Sequence, residues 1–187
     1  MDEQPDQIVN YVWINERPFP SPNTDDEEKL CGIPLHYIDR ALHNAKRYPH
    51  AEFNIWVDMR FIDDSTKFWL ESYIYNSNTQ NVRTYDLCDI KEYRTEFDFE
   101  ETSYMDIWAR VDYARLLVLK NQLEEISWCQ VFYSDFDAND VEILKPPVQK
   151  SLSDWGIVIA TTKCNPYENS FFGFSEKGAA FLNMLIC

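Results

Sequence analysis

Glycine is scarce in this chain. Only Gly32, Gly156, Gly173 and Gly178 occur in 187 residues, and none of them builds a G-x-G-x-x-G turn or a P-loop. Both motifs need glycine so that backbone N–H groups can approach phosphate. Any nucleotide held here is therefore held without a glycine cradle. Basic charge is also short: 17 Lys and Arg stand against 32 Asp and Glu, a formal net charge of -15. A nucleic-acid partner needs a basic surface to displace counterions, and an anionic membrane attracts clusters of Lys and Arg, so both are excluded. The five cysteines, Cys31, Cys88, Cys129, Cys164 and Cys187, include no C-x-x-C pair, which leaves no zinc or redox motif to read. Their odd number fits reduced thiols in a cytosol. The start, Met1-Asp-Glu-Gln-Pro-Asp6, lacks the basic and apolar regions of a signal peptide, and no apolar run reaches bilayer-spanning length. These absences predict a cytoplasmic protein, or one secreted without a cleaved signal.

What is present suits a folded domain. Hydrophobic residues make up 45% of the chain and aromatics 16%, enough for an ordinary core and unlike a disordered segment. The length predicts one domain over residues 1–187. Val9, Val12 and their neighbours make Ile8–Ile14 a buried strand. Residues 15–34 carry prolines at 18, 20, 22 and 34 and read as a loop with no core of its own. A helix is expected over Pro34–Tyr48, a strand over Phe53–Asp58, a helix over Asp63–Tyr75 capped by Asp63 or Asp64, and a short strand over Val82–Leu87. Residues 89–103 fit neither pattern. The clearest helix is Tyr104–Glu125, with Ile107, Val111, Ala114 and Val118 at helical spacing. Strands follow at Trp128–Ser134, Gly156–Thr161 and Phe171–Phe174. A last helix starts at Ser175 and shows no stop signal, as expected of a domain cut short at its C-terminus. Alternating strands and helices imply an α/β sheet with helices on its faces, whose ligands sit at the carboxyl ends of the strands.

Three constellations could carry chemistry. Asp135-x-Asp137 follows an apolar strand, and side chains at i and i+2 share one side of an extended chain. Two such carboxylates can share a hard divalent cation that neutralises a diphosphate; equally, Asp is a common turn residue. Asp140, close behind, is a further ligand or an N-cap. Asp112 and Arg115 are neighbours on the helix surface. They form either a solvated ion pair of little consequence, or a pair facing a pocket, where Asp accepts sugar hydroxyls and Arg meets phosphate or holds the Asp. Trp13 ends the first strand, as a base-stacking ring or as core. His36, His43 and His50 repeat every seven residues, too far apart along a helix to share a metal, and read as surface residues.

The order of these signals resembles the DXD-type glycosyltransferases of the GT-A fold, including the sugar-binding DXD region of large clostridial glucosylating toxins and related bacterial effectors. The residues carrying the resemblance are Asn10-Tyr-Val-Trp-Ile14, Tyr48-Pro49 with Phe53-Asn-Ile-Trp-Val-Asp58, Ala109-Arg-Val-Asp-Tyr-Ala-Arg-Leu-Leu-Val-Leu119, Val131-Phe-Tyr-Ser-Asp-Phe-Asp137 and Glu168-Asn-Ser-Phe-Phe172. The Gly-Gly-x-Tyr that often precedes the family's DXD is absent from Asn121–Val131. The resemblance implies a GT-A-like, Rossmann-type mixed sheet with helices on both faces. It implies transfer of a hexose from a UDP-sugar, with manganese or magnesium, to an acceptor that includes host protein in that family. Trp13 would then stack on uracil with Val12 beside the nucleoside. Asp112, Arg115 and Asn169 would contact the donor, and Asp135 and Asp137 would bind the metal.

Two alternatives stay open at this point. A haloacid dehalogenase-type phosphatase also ends an apolar strand in Asp-x-Asp, with the first Asp as nucleophile, although its motif comes early in the chain. An inactive glycosyltransferase-like module would instead present its acidic surface to a protein partner.

Overall fold

The computed structural model describes residues 6–15, 29–97, 106–126, 128–138, 141–160 and 170–186. A six-stranded sheet is built from β1 (Gln7–Trp13), β4 (Glu52–Val57), β5 (Val82–Asp86), β6 (Gln130–Ser134), β7 (Ile157–Ile159) and β8 (Phe171–Ser175), in the order β5-β4-β1-β6-β8-β7. The first four of these positions are parallel; β8 runs antiparallel to both β6 and β7. From β1 the chain winds outward through β4 to β5, then returns to place β6 on the other flank of β1. The strand order therefore reverses at the β1–β6 boundary, where an open α/β sheet leaves a crevice beyond its carboxyl edge.

Helices cover both faces. Against one lie α1 (Leu35–Arg47), α2 (Asp64–Asn76) and α5 (Pro146–Trp155), burying Ile38, Leu42, Leu70, Ile74 and Leu152 on Val9, Tyr11, Phe53, Ile55 and Phe132. Against the other lie α3 (Lys91–Glu96), α4 (Ile107–Glu125) and α6 (Ala179–Ile186), burying Tyr93, Phe97, Leu117, Val118 and Leu182 on Ile8, Val12, Trp56, Val131 and Tyr133. Successive strand residues thus alternate between two cores, as the period of two requires. A strand buried on both faces has no polar side to show, hence the nearly continuous apolar runs of β1 and β6. This is the mixed α/β fold, with helices on both faces, that the sequence predicts.

Several details differ from expectation. Residues 29–34 are not plain loop. β2 (Lys29–Leu30) pairs antiparallel with β3 (Ile33–Pro34) around Cys31 and Gly32, both at positive φ (55° and 80°). That is the backbone of a type I′ hairpin, which glycine accepts without strain. Its Cys31 and Ile33 are wholly buried, so this segment does join the core. The ambiguous 89–103 region contains α3, and α5, which no periodicity announced, begins on the Pro146-Pro147 pair favoured at a first turn. Strand β6 starts at Gln130 rather than Trp128, because Trp128 takes a left-handed φ of 71°. On α4, Ala114 and Val118 are core as expected, whereas Ile107 and Val111 are only partly buried and line a cleft. No helix among the described residues is long and apolar enough to cross a membrane.

Candidate functional site

The carboxyl ends of β1 and β6 open into a cleft of about 610 Å³. Its walls include Val12 and Trp13 from β1, Asp112 and Arg115 from α4, and Asp135 and Asp137 after β6. Three signals spread over residues 12–137 of the chain are therefore walls of one cavity. Asn169 and Asp140 lie outside the described residues.

Trp13 is half-buried, neither core nor free. Its ring meets Tyr37 edge-on at 6.4 Å and Phe136 at 6.1 Å, and its Nε1 donates to Asn15 Oδ1 at 3.0 Å. Asn15 is itself held, donating through Nδ2 to the Cys31 carbonyl at 2.9 Å. A Cβ at Gly32 would fall 2.1 Å from Asn15 Oδ1. The hairpin glycine therefore does two things: it turns the chain, and it leaves room for the side chain that orients the indole.

The Asp135-x-Asp137 segment is not extended. Past Ser134 the chain turns, with Ala138 N–H donating to the Asp135 carbonyl at 3.1 Å. The motif is thus a polar turn whose two carboxylate residues border the cleft. The turn is pinned at both ends. Asp135 N–H donates to the Ser170 carbonyl at 2.7 Å, and Arg40 Nη1 donates to the Asp137 carbonyl at 2.6 Å. Phe136 between them is buried and stacks on Tyr11 at 4.9 Å. Asp135 is half-buried and accepts a short hydrogen bond from the Tyr133 hydroxyl; Asp137 is exposed. Burial, and then the Asp135 charge, push the Tyr133 phenol well above its ordinary pKa, so it stays a donor.

Arg115 Nη2 pairs with Asp112 Oδ1 at 2.5 Å. The Arg115 side chain is 7% exposed while that of Asp112 is 61% exposed. The guanidinium lies over the Tyr133 ring at 5.1 Å and over Phe172 at 5.4 Å. This is the stacked, hydrogen-bonded environment that suits Arg and not Lys. It favours the second role considered for Arg115, that of holding Asp112, while Asp112 offers its carboxylate to the cavity.

Tyr37, Asn15, Trp108 and Tyr133 also line the cleft and were not singled out from sequence. Trp108 precedes Asp112 by four residues, and Tyr133 precedes Asp135 by two. Both share a face with a residue that was singled out, and that was the available signal.

A second acidic group lies at the ends of β4 and β5. Ligand atoms of Asp58, Asp86 and Cys88 lie within 4.8 Å of one another, close enough to hold a metal ion. Asp58 is fully buried, but its carboxylate is already engaged. It accepts from Arg60 Nε at 2.9 Å and Nη2 at 2.7 Å and from the Tyr93 hydroxyl at 2.9 Å, with Arg110 Nη2 at 3.8 Å. A cation there would compete with two guanidinium groups, so we read this cluster as an internal ion-pair network. The histidines are exposed, as expected.

No protein-family model and no curated protein matches this chain. Solved structures do. The chain is similar to a transferase structure over 95% of its own length and 78% of that chain, at 15% identity and a TM-score of 0.53. A mutant transferase with two cysteines changed to serine matches over 97% and 78%, at 17% identity and a TM-score of 0.50. Mouse xyloside xylosyltransferase 1, in its apo form, matches over 96% and 71%, at 8% identity and a TM-score of 0.50. At such identities the likeness is one of fold: this is a Rossmann-like sheet of the kind glycosyltransferases use.

Proposed function

We propose that this chain is a glycosyltransferase that takes its sugar from a UDP-sugar held in the β1–β6 cleft. The observation that carries the reading is the convergence of Val12, Trp13, Asp112, Arg115, Asp135 and Asp137 on one cavity at the point where the strand order reverses. Trp13, fixed by Asn15, offers a ring for the uracil, with Val12 beside the nucleoside. Asp112, oriented by Arg115, accepts hydroxyls of the donor. Asp135 and Asp137 supply the all-oxygen ligand set that suits manganese or magnesium, and the pinned turn presents them to the cleft. Such an ion, when bound, would offset the charge of the departing diphosphate. In a chain of net charge -15, a diphosphate needs that local neutralisation. The fold shared with transferases supports transfer over the phosphatase alternative. The acceptor, which includes protein in the family the sequence resembles, is part of this same proposal.

The test is calorimetric titration of UDP into the protein with and without manganese, repeated on Asp135→Ala/Asp137→Ala. Metal-dependent binding that the double variant loses is the expected result. Absence of UDP binding by the unaltered chain under both conditions would overturn the donor site and leave the interaction-module alternative.

A further inference from the structure

A larger groove lies at the opposite end of the sheet, about 770 Å³ across the amino edges of β1 and β6. We propose that it is a second ligand site, which binds a neutral oligosaccharide, and that it is separate from the donor cleft. Its first feature is Trp128. This indole is 84% exposed, yet its backbone sits at a φ of 71°. A bulky residue adopts that conformation at a cost, and here core packing does not offset it. An outlier of this kind points to use of the side chain at the surface. The exposed Leu144 borders the same groove and extends its apolar wall.

Its second feature is a row of three amides. Gln7 Nε2 donates to Gln130 Oε1 at 3.0 Å, Gln130 Nε2 to Gln149 Oε1 at 3.0 Å, and Gln149 Nε2 both back to Gln130 Oε1 at 2.9 Å and to the Ile143 carbonyl at 2.7 Å, which leaves Gln7 with the most free capacity. An amide carries two N–H donors and two acceptor lone pairs. The row is thus held rigid with hydrogen-bonding capacity left over. Its third feature is charge. One carboxylate, Asp6, one guanidinium, Arg47, and one imidazole, His50, border the groove of a chain whose net charge is -15. The groove is therefore close to balanced, and it favours neither a cationic nor an anionic ligand. A pyranose ring meets all three features: its C–H edge suits the negative face of an indole, and its hydroxyls both donate and accept.

The experiment is proton–nitrogen NMR of the labelled full chain, titrated separately with hexasaccharides of β-glucan, α-glucan, xylan and mannan. The expected result is a saturable shift of the Trp128 indole resonance by at least one of them, with a dissociation constant up to about 1 mM. Trp128→Gly, followed by the backbone and side-chain amides of Gln130 and Gln7 in the same titration, should weaken that affinity at least about tenfold, a change of roughly 1.4 kcal/mol. Glycine accepts the backbone conformation, and an otherwise unchanged amide spectrum of the variant would separate lost binding from misfolding. Asp135→Ala/Asp137→Ala should bind the oligosaccharide as the unaltered chain does, and Trp128→Gly should bind UDP unchanged, so failure of the donor reading and failure of this one are distinguishable. If none of the four sugars moves the Trp128 resonance, or if Trp128→Gly binds equally well, the proposal is overturned.

Discussion

The phenol of Tyr133 donates to the carboxylate of Asp135, and the same ring carries the Arg115 guanidinium at 5.1 Å. Arg115 in turn holds Asp112 at 2.5 Å. Two carboxylates that reach the cleft from different elements are therefore joined by two buried side chains. Asp112 comes from a helix and Asp135 from the end of a strand, yet neither is positioned independently of the other.

Tyr133→Phe isolates one link of this chain. The ring stays and only the hydroxyl is lost. A hydrogen bond to a charged acceptor contributes about 1.5–3 kcal/mol, some of which water recovers at a half-buried carboxylate. Manganese-dependent UDP affinity should weaken about fivefold to tenfold, with the thermal midpoint lowered by only a few degrees. A lowered midpoint with unchanged affinity would make the hydroxyl a packing feature without a role in binding.

Arg115→Lys tests the second link. Lysine keeps the charge but cannot stack flat on Tyr133 and Phe172 while pairing with Asp112. A loss of about 1–2 kcal/mol in urea unfolding is expected from the stacking and pairing together. Asp112→Asn removes a mostly exposed partner and should cost under about 0.5 kcal/mol, while lowering UDP-sugar affinity. If Asp112→Asn destabilised the fold as much as Arg115→Lys, the pair would be structural alone.

How much of this was legible before folding depended on the distance over which each signal acts. Strands β1, β4 and β6 and helices α1, α2 and α4 follow from periodicity and turn residues, which are local. The coming together of Trp13, Asp112 and Asp135 was legible only through their order along the chain and the family it resembles. Helix α5 was missed because its first turn, Pro146-Pro147, reads as loop until the packing of Leu152 is seen. The hairpin at 29–34 was missed because its strands are two residues each, below any period. Asp135 and Asp137 were expected on extended chain, and they sit on a turn because Ala138 bonds back to Asp135. The Asp58 network was invisible because Arg110, from a distant helix, completes it.

That network makes a prediction of its own. Asp58 is fully buried against Arg60, Arg110 and Tyr93. Asp58→Ala leaves those donors without their acceptor and should cost about 3–5 kcal/mol, as removal of one partner from a buried ion pair does. Cys88→Ala should leave manganese affinity and UDP binding as they are, because the proposed function puts the cation at Asp135 and Asp137. If Cys88→Ala weakened manganese binding while Asp135→Ala/Asp137→Ala did not, the metal would have to be moved to the β4–β5 edge.

Alkaline pH should destabilise the fold. Burial pushes the Cys31 and Cys88 thiols up to about 12 and Cys129 up to about 11, and it raises the Tyr11, Tyr93 and Tyr133 phenols as well. Each group keeps its proton to higher pH when folded. Above the ordinary thiol value of about 8.5, and above about 10 for the phenols, the unfolded chain sheds protons that the folded chain retains. Stability is then full below that range and falls as pH rises through it, by at most about 1.4 kcal/mol per pH unit for each group fully in its window. Urea midpoints at about pH 7 and about pH 10 should therefore differ, with the alkaline one lower. Cys31, wholly buried in the hairpin that holds Asn15 and hence Trp13, is the informative substitution. Cys31→Ala should make the alkaline decline shallower, whatever it does to stability at neutral pH. A midpoint that stays level between the two pH values would mean that these thiols and phenols ionise as readily in the folded chain as in the unfolded one.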